Sequence, residues 1–313
     1  MRIAVTGASG FIGGVIASAL AMPEFGHEVI GYGRTPGGWS YRSHVANASH
    51  YRIWDVARGR LTSETTVDAV VHCAALADDW APLAEAMRVN RDGTRNVVRS
   101  FPDTRIVHLS TSSVYDAFRP TVNAEESAAP AGRFLSSYSQ SKAAAEAELI
   151  GTDAVILRPH AVYGPGDTTL LPRLLAGIRR GRLTLPEGAA VHHTLTHIDN
   201  LVAAVILALD PDAPAGVYNV GDDEPVLLSA VVAELLAKKG LSDVSLHRIP
   251  YGTAFALASA VELAHRVGGR GRPRVTRYAV SQLGLERTLD LSAARTRLGY
   301  RPRPTSLEGA ERW

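Results

Sequence analysis

The feature that most constrains the fold of this chain is a glycine-rich turn near its N-terminus. The turn, Gly7-Ala8-Ser9-Gly10-Phe11-Ile12-Gly13, follows the apolar run 3–6 and opens the helical pattern 11–21. Glycines at this GxxGxxG spacing permit a sharp turn and let the backbone approach a pyrophosphate. The free N–H groups at the start of the following helix favour an anion. The sequence therefore predicts a dinucleotide-binding turn at Gly7, Gly10, Phe11, Ile12 and Gly13.

Short apolar runs alternate with longer helical patterns through the first half of the chain. Strands are predicted at 3–6, 28–32, 69–73, 105–109 and 154–157, and helices at 11–21, 83–99 and 137–150. Such alternation is typical of a parallel sheet with helices on both faces and right-handed crossovers. We therefore predict the α/β class: a Rossmann doubly wound parallel sheet with a smaller C-terminal α/β substrate domain.

The pattern loosens after Pro165, where we expect the chain to leave the first domain. Helices are predicted at 170–180, 200–209, 228–239, 253–267 and 292–298, and a strand at 217–220. The predicted dinucleotide-binding domain comprises 1–165, to which 196–220 returns. The substrate-binding part then comprises 166–195 and 221–313.

The end of the second predicted strand bears on which dinucleotide binds. In Rossmann folds an acidic residue at that place binds the ribose diol of NAD. Here Gly33 and Arg34 follow the strand, without a carboxylate. A guanidinium makes bidentate, charge-assisted hydrogen bonds to phosphate, which suits the 2′-phosphate of NADP. We predict NADP(H) in preference to NAD(H); the alternative is that Arg34 is a solvent-exposed loop residue.

Tyr138 and Lys142 form a YxxxK pair within the helical pattern 137–150. Residues four apart share a helix face, so both side chains are expected to reach one cleft. A free phenol has a pKa of about 10, which is too high for efficient proton transfer near neutrality. A neighbouring ammonium favours the phenolate and lowers that pKa. We predict that Tyr138 exchanges the proton and that Lys142 tunes it and binds the cofactor ribose.

Hydroxyl side chains follow the strand predicted at 105–109, in the stretch from Ser110 to Ser113. A hydroxyl at this place can bind the substrate oxygen and align it with Tyr138. For Ser112 and Ser113 the alternative is that they cap the turn after the strand.

Together these motifs resemble the extended short-chain dehydrogenase/reductase superfamily, in particular its NAD-dependent epimerase/dehydratase type. The resemblance covers nearly the whole chain and implies an enzyme that binds a nicotinamide dinucleotide. Its markers, in the family's order, are the turn at 7–13, Asp55-Val56, His72-Cys73-Ala74-Ala75, the stretch 89–94, Ser110-Thr111, Tyr138 with Lys142, Arg158-Pro159 and the stretch 162–166.

The resemblance also implies roles for individual residues. Thr111 matches the catalytic Ser/Thr, Tyr138 the general acid/base and Lys142 its partner. The matches to cofactor-binding positions are Asp55 and Val56 at the adenine, Ala74, Ala75 and Leu76 beside the diphosphate and ribose, Asn90 near the cofactor and His160 at the nicotinamide. For His160, a buried structural histidine is the alternative.

The second half of the chain bears on the substrate. Family members that act on nucleotide sugars place an arginine where this chain has His193, and a neutral histidine is a poor diphosphate anchor. The apolar stretch 251–267 and the order of the C-terminal motifs resemble the 3β-hydroxysteroid dehydrogenase branch, which implies a hydrophobic alcohol or ketone.

We therefore predict an oxidoreductase that transfers a hydride between nicotinamide and a carbonyl or hydroxyl of a small hydrophobic substrate. The alternative is a nucleotide-sugar epimerase or dehydratase with retained NAD(P). A third reading, an NADPH-sensing regulator on the same fold, usually requires loss of the Tyr/Lys pair, and both residues are present.

Charge and cysteine usage restrict the other partners. A net charge of +2 argues against nucleic acid, and the basic stretch 266–274 is expected to be a solvated surface turn. Cys73 is the only cysteine, which excludes an internal disulfide, and no metal site is predicted. No apolar run is long enough to span a membrane, and we expect no membrane partner. We expect a cytoplasmic protein, and the resemblance implies a homodimer through the helices at 83–99 and 137–150.

Overall fold

The structure is a computed structural model that describes residues 1–36, 38, 50–62, 65–269 and 271–313. None of the helices in these ranges is long and apolar enough to cross a bilayer. The strands are β1 (Arg2–Thr6), β2 (Glu28–Gly33), β3 (Tyr51–Ile53), β4 (Ala69–His72), β5 (Arg105–Leu109), β6 (Thr121–Ala124), β7 (Ala154–Pro159), β8 (Val162–Tyr163), β9 (Arg182–Pro186), β10 (His192–His193), β11 (Thr196–His197), β12 (Gly216–Val220), β13 (Val226–Leu227), β14 (Ser245–Ile249) and β15 (Arg287–Leu289).

The α-helices alternate with these strands. They are α1 (Phe11–Leu20), α2 (Leu83–Ala86), α3 (Gly93–Ser100), α4 (Ser137–Ala147), α5 (Leu170–Leu175), α6 (Ile198–Ala208), α7 (Leu228–Lys238), α8 (Tyr251–Val267), α9 (Arg277–Gly284) and α10 (Ser292–Arg297). A π-helical turn, Met87–Asp92, joins α2 to α3.

The largest sheet within the described residues has seven parallel strands in the order β12-β7-β5-β4-β1-β2-β3. Its central strands are apolar and buried because helices cover both faces. The chain builds outward in opposite directions from β1 and β4, which opens a crevice at the carboxyl ends of these two strands. The predicted Rossmann doubly wound sheet is confirmed.

The two faces of the sheet form separate cores. On one face, Ile16 of α1 and Leu201 of α6 pack against Ile3 and Val5 of β1. On the other face, Val97 of α3 packs with β-strand residues that include Ile30, Val70 and Ile106. Because α6 lies beside α1 and β12 pairs with β7, the segment that contains them returns to the large sheet.

A smaller part of the molecule holds a sheet in the order β13-β10-β15-β6 and the pair β14-β9. Leu183 and Leu185 of β9 pack against Val232 and Leu236 of α7 in its core. This part includes β6, which comes from within residues 1–165. The boundary drawn after residue 165 therefore stays a prediction. The strand β6 precedes this boundary but belongs to the smaller part, whereas β12 follows it but belongs to the large sheet.

Several predicted elements differ from the observed ones. The helix predicted at 83–99 is divided by the π-helical turn, and the helix predicted at 170–180 ends at Leu175. The sequence analysis did not predict β6, β9 or β14. These strands alternate exposed and buried residues or carry few buried ones, so they lack the continuous apolar run that marked the central strands.

Candidate active site

The glycine-rich turn forms a cradle that only small residues allow. Gly7 has a φ of +70°, and a Cβ at this position would lie 2.7 Å from the Ala74 backbone nitrogen. A Cβ on Gly13 would lie 2.3 Å from the Gly7 carbonyl oxygen. Gly10 caps α1, which starts with Phe11 and Ile12, so the first N–H groups of the helix face the turn. This geometry fits the pyrophosphate of a dinucleotide.

The loop after β4 forms the next wall of the crevice. The Leu76 backbone N–H donates to Asn90 Oδ1 over 2.7 Å, and Asn90 Nδ2 donates to the Leu76 carbonyl. The same amide donates to Ser141 Oγ on α4 over 2.8 Å. Asn90 lies in the π-helical turn, and such turns are frequent at functional sites. The loop with Ala74, Ala75 and Leu76 is thereby tied to the helix of Tyr138.

Arg34, Asp55 and Val56 lie at the other end of the crevice. Arg34 is exposed directly after β2, and none of the ion pairs found among the described residues involves it. Asp55 follows β3, and its carboxylate accepts a hydrogen bond from the Ala57 backbone N–H. Val56 is buried, and a Cβ on Gly93 of α3 would lie 2.9 Å from its side chain. These residues therefore lie where the adenosine half of a dinucleotide is expected.

Tyr138 is positioned by the start of α4. Ser136 caps this helix by accepting a hydrogen bond from the Ser139 backbone N–H. Burial raises the pKa of Tyr138 above its usual range, and a side-chain hydrogen bond with Thr111 opposes this effect. Thr111 follows β5 and caps the next turn by accepting from the Ser113 N–H. The predicted phenol and hydroxyl therefore lie together at the carboxyl edge of the sheet.

Lys142 is buried beneath this pair, with 2% of its surface exposed. Its Nζ donates to the Leu109 carbonyl over 2.6 Å and lies 3.1 Å from His108 Nε2. Burial lowers the pKa of Lys142 to about 8. The expectation that Lys142 lowers the pKa of Tyr138 is wrong for this structure. The lysine side chain faces β5, and burial of the Tyr138 phenol raises its pKa.

His160 belongs to a chain of hydrogen bonds whose direction can be derived. His193 Nε2 lies 3.2 Å from the Leu285 carbonyl, which can only accept, so this nitrogen carries the proton. His193 Nδ1 must then accept from His160 Nε2, 3.2 Å away. His160 Nδ1 in turn accepts from the Ser112 hydroxyl over 2.8 Å. Burial keeps both histidines neutral, since it lowers the pKa of His193 to about 4 and that of His160 well below its usual range.

Three further groups at the site were not predicted from the sequence. Tyr278 of α9 lies 2.6 Å from Ser113 Oγ, and burial raises its pKa. Glu146 is buried, bonded to Ser110 and to Arg158, whose Nη2 donates over 2.6 Å. His108 has an Nδ1 without a hydrogen-bond partner among the described residues. The one available signal was the helical spacing of Glu146, four residues after Lys142.

The described residues of the basic stretch 266–274 are mostly exposed, as predicted for a surface turn, and its arginines also contact the loop after β4 beside the cleft. Arg272 forms ion pairs with both Asp78 and Asp79 of the loop after β4. Asp79 also accepts a hydrogen bond of 2.6 Å from Thr276, the N-cap of α9. Arg266 stacks over Trp80 with 5.2 Å between its guanidinium carbon and the ring centroid. These contacts therefore connect the loop after β4 to α8 and α9 of the smaller part, beside Tyr278.

The chain is similar in sequence to several known proteins. The family model for the NAD dependent epimerase/dehydratase family matches residues 3–221. A 2-alkyl-3-oxoalkanoate reductase from Stenotrophomonas maltophilia is 31% identical, covering 100% of this chain and 98% of that protein. A 4-hydroxy-2-methyl-3-oxo-4-farnesyl-3,4-dihydroquinoline-1-oxide ketoreductase from Stigmatella aurantiaca is 32% identical, covering 78% of this chain and 75% of that protein.

A solved structure shows the same fold. The dTDP-glucose 4,6-dehydratase DesIV from Streptomyces venezuelae, with NAD and TYD bound, superimposes with a TM-score of 0.71 at 23% identity. The superposition covers 100% of this chain and 95% of that chain. At this identity the likeness establishes the fold alone.

Proposed function

Since the chain belongs to the NAD-dependent epimerase/dehydratase family, we propose that it is a nicotinamide-dependent reductase or dehydrogenase of a small hydrophobic carbonyl compound or alcohol. The observation that carries this proposal is the Tyr138 phenol beside Thr111, at the carboxyl edge of the sheet and next to the crevice. A proton donor beside a hydroxyl is what a carbonyl oxygen needs when hydride reaches its carbon.

The cofactor is a nicotinamide dinucleotide, which supplies or accepts the hydride when bound. We propose that the residues of the turn at 7–13 hold its pyrophosphate and that Ala74 to Leu76 and Asn90 line its path. Tyr138 gives its proton to the carbonyl oxygen as the hydride reaches the carbonyl carbon. Thr111 orients that oxygen, and Lys142 holds the ribose.

We also propose that NADP(H) is preferred over NAD(H). Arg34 supports this, because it is exposed at the end of β2 and no ion pair with another described residue occupies its guanidinium. A 2′-phosphate would give it a charged partner at little desolvation cost, because the side chain remains at the surface.

The chemistry of the relatives supports a hydrophobic oxo compound as substrate. The printed names of the two similar reductases specify an alkyl oxoalkanoate and a farnesyl-bearing oxo heterocycle. His193 offers no cation for a nucleotide-sugar diphosphate, since burial lowers its pKa to about 4 and its two nitrogens are engaged. These observations favour net reduction or oxidation over epimerisation or dehydration with retained cofactor.

Net cofactor consumption tests the proposal. The purified chain is mixed with NADPH and a 2-alkyl-3-oxoalkanoate, and absorbance of the reduced nicotinamide is followed alongside product formation. We expect one NADPH oxidised per ketone reduced, with activity lost in Tyr138→Phe. If dTDP-glucose is converted without net NADPH loss while the ketone is untouched, the epimerase or dehydratase reading replaces this one.

We expect the enzyme to work on the cytoplasmic side of the cell, where NADPH is available.

A further inference from the structure

One face of α8 is apolar and exposed from Leu257 to the end of the helix at Val267. Its outward side chains include Leu257, Ala260, Val261, Leu263, Ala264 and Val267. Leu263 and Val267 are 63% and 81% exposed, and Val275 beyond the helix is 48% exposed. Monomeric proteins rarely expose large contiguous apolar patches unless the patch binds something.

The opposite face of α8 is already packed, so the helix cannot turn its apolar side inward. Ala254 and Ala258 are buried against Val280 of α9. Glu262 is also buried and bonds to Arg277, with its Oε2 2.8 Å from Arg277 Nε. These contacts fix the rotation of α8 about its axis and leave its apolar face directed outward.

The exposed face continues into a segment that carries one sign of charge. Residues 263–285 contain the arginines at 266, 270, 272, 274 and 277 and no aspartate or glutamate. Glu262 pairs with Arg266 and Arg277, while Asp78 and Asp79 pair with Arg272. Arg274 is exposed, and the described residues offer it no ion pair. Among the described residues, the border of the apolar face therefore carries more arginines than carboxylates, and Arg274 is the arginine left without an ion pair.

We propose that α8 and the turn after it form a docking surface for a membrane that contains anionic phospholipid. Apolar side chains on one helix face insert at the boundary between headgroups and acyl chains, and flanking arginines bind the lipid phosphates. A second copy of the chain fits less well. A symmetric contact through this face would bring the same arginines of both copies together, and like charges repel.

The docking surface adjoins the candidate active site through α9. Tyr278 of α9 contacts Ser113, and Arg266 at the end of α8 lies over Trp80 of the loop after β4. A hydrophobic substrate dissolved in the bilayer would therefore reach the cleft over a short path. This last step, unlike the docking itself, rests on the proposed function.

Flotation with lipid vesicles tests the docking. The full chain is mixed with vesicles of equal parts phosphatidylglycerol and phosphatidylcholine, or with phosphatidylcholine alone. We expect binding to the anionic vesicles that weakens with salt. The double variant Leu263→Glu/Val267→Glu should bind at least about tenfold more weakly, because it removes apolar insertion and adds negative charge. Arg274→Gln should weaken binding by about fivefold at low salt.

The matched control is Ile53→Glu/Val122→Glu, which adds the same charges at Ile53 on β3, 63% exposed, and Val122 on β6, 67% exposed. It should bind vesicles as the wild type does. Absence of wild-type binding, or equal binding by the α8 double variant, overturns the proposal. A wild-type dimer that the α8 variant dissociates would also overturn it and assign the face to a second copy.

Turnover of a water-soluble ketone separates this proposal from the proposed function. The α8 double variant should retain wild-type NADPH oxidation in solution while losing vesicle binding. If the wild type does not oxidise NADPH with the water-soluble ketone, the reductase assignment is contradicted, whereas the result of the vesicle experiment still stands.

Discussion

The Ser136 cap at the start of α4 fixes the backbone of Tyr138 without using its hydroxyl, which forms a hydrogen bond with Thr111. We therefore expect Tyr138→Phe to fold normally and to lose kcat by about 10²–10⁴-fold, the usual contribution of a positioned proton donor. Steady-state kinetics measure kcat, and fluorescence titration with NADPH should give a cofactor Kd close to that of the wild type. Turnover within a few-fold of wild type would remove Tyr138 from the proposed mechanism.

Arg34 offers a direct test of cofactor choice. We expect Arg34→Ser to raise the KM for NADPH by roughly tenfold to a hundredfold, as expected for loss of a charge-assisted hydrogen bond to phosphate. The KM for NADH should stay nearly unchanged, since its ribose diol carries no phosphate. Arg58, also exposed and close to Asp55, provides the matched control as Arg58→Ser. A wild type that prefers NADH would contradict the assignment.

The residue types of the site could be predicted from the sequence because the motifs are local. The spacing between Tyr138 and Lys142 is set by one helix, and the Gly7 turn by one strand-to-helix junction. Their partners come from distant segments: Lys142 bonds to Leu109 and lies beside His108, while Ser113 contacts Tyr278, 165 residues later. No local pattern predicts which distant side chain fills such a contact, so these partners required the folded structure.

The π-helical turn between α2 and α3 places the Asn90 amide between the Leu76 loop and α4. Asn90→Leu should leave the buried Leu76 N–H and Ser141 hydroxyl without this partner, which costs about 1–3 kcal/mol of folding stability. Because the loop lines the crevice, we also expect weaker NADPH binding. Urea unfolding and cofactor titration measure the two effects.

Ser100→Ala is the control for this element. Ser100 lies on α3, away from the crevice. Its hydroxyl accepts a hydrogen bond from the Leu61 backbone N–H, and the alanine variant loses this bond. We expect it to lower stability without changing the NADPH Kd. If Asn90→Leu binds NADPH as the wild type does, Asn90 has a structural role only.

Long elements with a strong apolar pattern were predicted to within a residue or two. β1, β5 and α7 are examples, because a continuous apolar run or a helical period is written in consecutive residues. The strands β9 and β14 were missed, since their stability comes from pairing with each other across 60 residues of chain. Pairing at that separation leaves little periodic signal in either segment.

At the scale of the whole molecule, four buried histidines make the fold sensitive to acid. His72, His108, His160 and His193 are each at most 5% exposed, and burial lowers the pKa of all four below the usual 6.5. The unfolded chain therefore binds more protons than the folded one once the pH falls below about 6.5. Stability is fully present above that pH and is lost toward pH 4.

Thermal unfolding between pH 7.5 and 4.5 measures this effect. Each buried histidine contributes up to about 1.4 kcal/mol of lost stability per pH unit below its unfolded pKa. His193→Asn should make the decline with falling pH less steep, because it removes one of these four buried histidines. A melting temperature that is constant from pH 7 to 5 would contradict this account.

The alternation of strands and helices predicted the parallel, doubly wound class of the large sheet, but not the contacts that close the cleft. Arg272 lies 193 residues from Asp79, and nothing in the sequence around this arginine, between Gly271 and Pro273, indicates that it pairs with a buried carboxylate there. Charge composition describes how many arginines are present, whereas their partners depend on the tertiary arrangement.

The re-entry of α6 and β12 into the large sheet has a consequence for protein engineering. Neither part of this enzyme is formed by one continuous stretch of chain. The edge strand β12, which pairs with β7 in the large sheet, comes after the chain has already formed strands of the smaller part. A chimera that exchanges substrate preference must therefore transplant two or more separate gene segments while leaving residues 196–220 with their original host. A single crossover near residue 165 would graft a foreign edge strand onto the native sheet.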